Sequence, residues 1–111
     1  MKKIITILIM TLLLCGCGKS NNAKMKELMA ENEYIIIDVR TKEEYSTGHI
    51  KDAINIPYDE INEETELDKN KLIFVYCKSG NRSRQAYNSL KSFGYEVYDL
   101  GGISSINLEK E

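Results

Sequence analysis

Cys77 is followed by Lys78-Ser79-Gly80-Asn81-Arg82-Ser83, a small, polar and basic run directly after the apolar stretch Leu72-Ile73-Phe74-Val75-Tyr76. A nucleophile in such a place has physical help. Backbone N–H groups of a tight glycine-containing loop converge on its centre and stabilise negative charge. The helix expected to follow adds the positive end of its dipole, and Lys78, Arg82 and Arg84 raise the local potential. Each effect favours thiolate over thiol, and thiolate is the nucleophile. The bland alternative is a buried structural cysteine, because free Cys is among the most buried residue types. The electropositive loop favours the reactive interpretation. Asp38 and Arg40 are supporting candidates, expected to pair with each other or with loop groups rather than to act in catalysis. His49, the single histidine, is expected to be structural, since nothing places it within reach of the thiol.

The elements that must position these residues follow from pattern. Met25, Leu28 and Met29 recur at helical spacing, so 23–31 is expected to be an amphipathic helix. Tyr34 to Val39 and Leu72 to Tyr76 are continuous apolar runs, the mark of strands covered on both faces. Ala53 to Ile56 is a shorter strand stopped by Pro57, and Tyr95 to Leu100 alternates as a last one, after which Gly101-Gly102 is expected to turn the chain. Between them, Lys42 to Thr47 predicts one or two helical turns ended by Gly48, and Asp59 to Asn62 another turn. A longer helix carries Ala86, Leu90 and Phe93 and is closed by Gly94. Tyr76 and Tyr87 are expected to pack. Strands alternating with helices predict an α/β domain with a parallel sheet, whose crevice lies beyond the carboxyl ends of the strands, where Cys77 sits.

The 111 residues have room for one small domain, and 42% hydrophobic with 29% charged residues is ordinary globular composition. A net charge of −2 leaves no footprint for nucleic acid. Cysteines at 15, 17 and 77 form neither a disulfide framework nor a set of zinc ligands, and no cofactor is called for. Lys2-Lys3, then the apolar run Ile4 to Leu14, describe a secretory signal too short to span a bilayer. Leu14-Cys15-Gly16-Cys17 resembles the lipobox of bacterial lipoproteins, with Cys17 in register and Cys15 preceded by a bulky Leu14. That resemblance implies cleavage before Cys17, lipidation there, and an extracytoplasmic protein anchored to the cell membrane by its acyl chains. An ordinary signal peptide or uncleaved anchor is the alternative. Loss of Lys2 and Lys3 leaves a mature charge of −4, so lipid rather than charge is expected to hold the protein at the membrane.

The segment from Cys77 to Ser83 resembles the active-site loop of rhodanese-family sulfurtransferases. Asp38-Val39-Arg40, Glu43-Glu44-Tyr45, Gly48-His49-Ile50, Ala53, Asn55-Ile56-Pro57 and Gly101-Gly102 match other family signatures in the right order. The resemblance implies a three-layer domain: a five-stranded, mostly parallel sheet with helices on both faces. It also implies transfer of a sulfane sulfur from a small anionic donor such as thiosulfate, through a persulfide on Cys77, to a thiol, cyanide-like or protein-thiol acceptor. The amides of Ser79 to Ser83 are expected to cradle the persulfide, with Lys78 at the mouth or simply solvated. Cys77 to Arg82 is Cys-x4-Arg, whereas related phosphatases and arsenate reductases use a wider Cys-x5-Arg loop; the shorter ring suits a terminal sulfur. A membrane-tethered sulfur-carrier or binding module is the rival. The family commonly continues after Gly-Gly-Ile with a tryptophan and a further helix, and this chain contains no tryptophan. The expected boundaries are signal peptide 1–16, lipidated tether 17–23, rhodanese domain 24–106 and tail 107–111.

Overall fold

The computed structural model describes residues 21–111. The signal segment and the Cys17 lipidation site lie outside the described residues. The described chain falls into two units that divide after Ala30. Helix α1 (Asn21–Glu31) begins in the first. It starts two residues earlier than the apolar spacing predicts, so Asn21 and Asn22 are helical rather than part of a polar tether; asparagine is well suited to a helix start. Among the described residues no helix is long and apolar enough to cross a membrane.

The second unit contains strands β1 (Tyr34–Asp38), β2 (Ile54–Asn55), β3 (Leu72–Cys77) and β4 (Val97–Gly102), ordered β2-β1-β3-β4 and all parallel. This corrects the expectation of five strands. Only four runs of strand character exist in the described sequence. What remains is an antiparallel bridge between Ile50 and Lys110, flanked by His49 N–H to Glu111 O at 2.9 Å and Glu111 N–H to His49 O at 2.8 Å. Residues expected to form a tail therefore pair with the segment after the second helix.

Helix α2 (Lys42–Ser46) lies between β1 and β2, and helix α3 (Asn81–Ser92) between β3 and β4. The expected turn near Asp59 is a single 3-10 turn, Tyr58–Glu60. Alternation along the strands sorts side chains to two faces. Ile37, Val39, Ile73, Val75, Cys77 and Val97 join Ala86 and Leu90 of α3 in one buried cluster. On the other face Phe74 lies between Tyr34, 5.9 Å away edge-on, and Tyr98, stacked at 5.3 Å. All six residues of β3 are buried, as its uninterrupted apolar run predicts.

The last strand departs from expectation in an informative way. Gly101 and Gly102 continue β4 instead of turning the chain. Val75 pairs with Asp99 and Tyr76 with Gly101, so Leu100 is an extra residue in β4, a bulge relieved by Gly101 at φ 84°.

At the carboxyl end of β1, Asp38 is fully buried, with partners from its own segment and from β3. Arg40 donates to it from its backbone N (2.9 Å), Nε (2.9 Å) and Nη2 (2.6 Å), and Tyr76 Oη donates at 2.8 Å. Tyr76 Oη in turn accepts from Ile50 N at 2.9 Å, and Arg40 Nη2 donates to Gly48 O at 2.6 Å. Burial, and secondarily the bond to Asp38, raises the Tyr76 hydroxyl well above its ordinary range. Tyr76 is thus more than a packing residue. Removing one partner of a buried ion pair costs about 3–5 kcal/mol, because the other charge is left stranded. Asp38→Ala is expected to lose stability of about that size, and Tyr76→Phe about 2–3 kcal/mol, because a bond to a buried carboxylate is lost and the Ile50 N–H is left unpaired, both read from urea unfolding.

Candidate active site

The reversal of strand order falls between β1 and β3, and the crevice beyond their carboxyl ends is where a doubly wound sheet binds ligands. Cys77 is the last residue of β3 and the only free cysteine among the described residues. The chain then leaves the sheet through Lys78 and Ser79 and enters α3 at Gly80, whose φ of 104° only glycine adopts without strain. That conformation turns the Gly80 N–H back onto Cys77 Sγ, 2.9 Å away.

Ser83, fully buried one helical turn on, completes the cradle. Cys77 Sγ lies 3.5 Å from Ser83 Oγ, and that hydroxyl donates to Gly80 O at 3.1 Å. When the thiol ionises, the Ser83 hydroxyl can turn and donate to sulfur; Gly80 O keeps its bond from Arg84 N at 3.1 Å. Burial pushes the Cys77 thiol up, but the Ser83 hydroxyl and the amides of Ser83, Gly80 and Ser79 outweigh it, holding the thiol below its ordinary value. Cys77 itself is 0% exposed. The arrangement favours the thiolate through neutral donors at a helix N-terminus, suited to nucleophilic attack and to holding charge on a sulfur bound there.

The close fit depends on β4. Gly102 pairs with Cys77 across the sheet, and a Cβ there would lie 2.7 Å from Lys78 O. The loop can lie over β4 only because Gly102 has no side chain. Sequence reasoning assigned the glycine pair to a turn and missed this role.

Of the residues expected at the site, Cys77, Ser79, Gly80 and Ser83 converge. Lys78, Ser79 and Asn81 are exposed at the surface of the loop. Arg82 points elsewhere. Its Nη1 and Nη2 donate to Glu44 Oε1 and Oε2 at 2.8 and 3.1 Å, so both terminal nitrogens are held by one carboxylate. The expected help of Arg82 to the loop is offset accordingly: its strongest electrostatic partner is Glu44, with its attraction to the Cys77 charge secondary. Arg82 beside it, then the Thr41 backbone, hold the Glu44 carboxyl down at about 2. Glu44 also accepts from Thr41 N at 3.0 Å while Thr41 Oγ1 accepts from Glu44 N at 3.2 Å, a capping box that starts α2. The Thr-x-x-Glu spacing signals the cap in sequence, but nothing local signals Arg82.

Asp38 and Arg40 pair with each other and do not bond the thiol, as expected of supporting groups. His49 stacks on Tyr45 at 3.8 Å, with Nδ1 3.1 Å from Tyr45 O and Nε2 3.3 Å from Glu111 Oε2. Both ring nitrogens are engaged there, in keeping with a structural role.

The family model described as Rhodanese-like domain matches residues 21–109. The adenylyltransferase and sulfurtransferase uba4 of Ogataea parapolymorpha is 38% identical over 90 residues, 78% of this chain. The match spans only 23% of that relative's length. The thiosulfate sulfurtransferase PspE of Escherichia coli is 41% identical over 78 residues, 67% of this chain and 75% of that protein. Among solved structures, a rhodanese with anions from E. coli superposes with a TM-score of 0.64 at 38% identity, over 70% of this chain and 96% of that one.

The cradle can be read from Cys77 alkylation by iodoacetamide as a function of pH. The midpoint is expected below the roughly 8.5 of a free cysteine in the native protein, and to rise towards it in Ser83→Ala and in Gly102→Ala. Gly101→Ala, where nothing lies within 4 Å of the added Cβ, is expected to cost stability through its positive φ but to leave the midpoint in place.

Proposed function

The chain belongs to the rhodanese-like domain family, and from that premise we propose that it is a sulfurtransferase that carries a sulfane sulfur as a persulfide on Cys77. The observation that supports this most directly is the Gly80 N–H donated to Cys77 Sγ, beside a thiol held below its ordinary value by the Ser83 hydroxyl and then the amides of Ser83, Gly80 and Ser79. With thiosulfate as donor, the thiolate attacks the outer sulfur, the sulfur–sulfur bond breaks and sulfite leaves with the electron pair. The persulfide charge then rests among the amides of the loop from Ser79 to Ser83. A thiolate or cyanide acceptor attacks the outer sulfur and the Cys77 thiolate departs, ready for another donor. One difficult transfer becomes two displacements. Lys78 follows Cys77 in sequence and is exposed, which supports a role in drawing an anionic donor in.

Similarity to the Bacillus subtilis protein YrkF, named as a sulfur carrier, supports a second reading, in which the persulfide passes to a protein thiol and turnover with small acceptors is slow. The lipobox-like Leu14-Cys15-Gly16-Cys17 supports an extracytoplasmic, lipid-anchored location for either activity.

Incubation with thiosulfate and cyanide is expected to yield thiocyanate, with none from Cys77→Ser. A wild-type protein that gains one sulfur atom by mass but makes no thiocyanate points to the carrier; neither signal overturns the persulfide. The anchor has its own test. Metabolic labelling with a fatty acid is expected to mark the wild type and not Cys17→Ala, and lipid retained by that variant overturns the assignment of Cys17.

A further inference from the structure

Arg82 is the one guanidinium in the Cys77 loop, and its two terminal nitrogens are both committed to the Glu44 carboxylate. An arginine at such a place, with its fork free, is the natural clamp for a tetrahedral oxyanion. We propose that Glu44 is a specificity-determining residue of this site: by pinning and neutralising Arg82 it keeps the loop from gripping sulfate-like dianions. The inference rests on the sulfur-transfer reading and deepens it. A loop that takes sulfur from thiosulfate must release sulfite, itself a doubly charged oxyanion, before the persulfide can meet an acceptor. An unpaired Arg82 would hold that product against the nascent persulfide and slow the exchange. The Glu44 pair offsets the charge of Arg82, while the amides around Cys77 remain available to sulfur.

The capping geometry makes the idea separable from stability. Gln at position 44 can still cap α2, as the third residue of a capping box, but it no longer neutralises Arg82. The probe is inorganic sulfate, which resembles the donor but carries no transferable sulfur. Binding is read as protection of Cys77 from iodoacetamide in the full-length chain, followed on the peptide that contains Cys77, so no turnover is needed. Glu44→Gln is expected to bind sulfate about tenfold more tightly than wild type, the order expected for removing one unit of opposing charge at this range. The double variant Glu44→Gln with Arg82→Gln is expected to lose that gain. Thr41→Ala, which weakens the cap but leaves Glu44 charged, is expected to match wild type. Glu44→Ala compared with Thr41→Ala supplies a second measurement of the charge effect, should the Gln variant not fold. Sulfate affinity unchanged or weaker in Glu44→Gln, or a gain reproduced by Thr41→Ala, overturns the proposal. Absence of both thiocyanate formation and a one-sulfur gain in mass, with the sulfate result intact, overturns the sulfur-transfer reading instead.

Discussion

A carboxylate with no exposure to water must be matched from within the protein, and Asp38 sets that demand at the carboxyl end of β1. Its partners are drawn from three places. Arg40 comes from the chain two residues on, Tyr76 from the neighbouring strand, and Ile50 indirectly through the Tyr76 hydroxyl. Asn55 adds to this by donating to the carbonyls of Asp38 and Arg40 at 2.8 and 3.0 Å, which fixes β2 to the same corner. The path of the chain from β1 into α2 is thereby fixed, and that path carries Thr41 and Glu44. Glu44 reaches the first turn of α3, so the buried charge on one strand governs the approach to the thiol on another. Tyr76, immediately before Cys77, ties the two ends of this arrangement together.

The Cys77 site shows how a thiolate can be favoured with little help from formal charge. The obvious cation, Arg82, is spent on Glu44. The groups that lower the thiol are neutral dipoles, held at short range by Gly80 and the start of α3. Fixed dipoles have an advantage where the charge shifts outward by one sulfur atom as a persulfide forms. A cradle of several amides follows that shift better than a single ion pair, which would be strained by it.

What could be read from sequence depended on whether the cause was local. The β1 and β3 runs are apolar without interruption because both faces are covered, and their extents emerge nearly unchanged. The cysteine loop is likewise legible, since the nucleophile, the glycine turn and the helix start are consecutive. The five-strand expectation came from resemblance rather than from pattern, and the pattern itself contained four. Gly101-Gly102 was misjudged because a glycine pair signals a turn and a close backbone approach equally well; only the position of Lys78 O distinguishes them. Glu44 and Arg82 are 38 residues apart, and no periodicity joins them. Until the fold brings α2 against the loop, Arg82 reads as a free cation.

The extra residue in β4 bears on what the functional module is. Because Leu100 is inserted opposite the Val75–Tyr76 step, Gly102 rather than Gly101 comes to lie beside Cys77. The seven residues from Cys77 to Ser83 are therefore not a portable cassette. Grafted onto another parallel sheet, they would meet whatever side chain that sheet offers at the adjoining strand, and the loop would ride up off its bed. The transferable unit is a two-part socket, the loop with the segment from Asp99 to Gly102, and any scaffold chosen to receive it must accept the kink along with the cysteine.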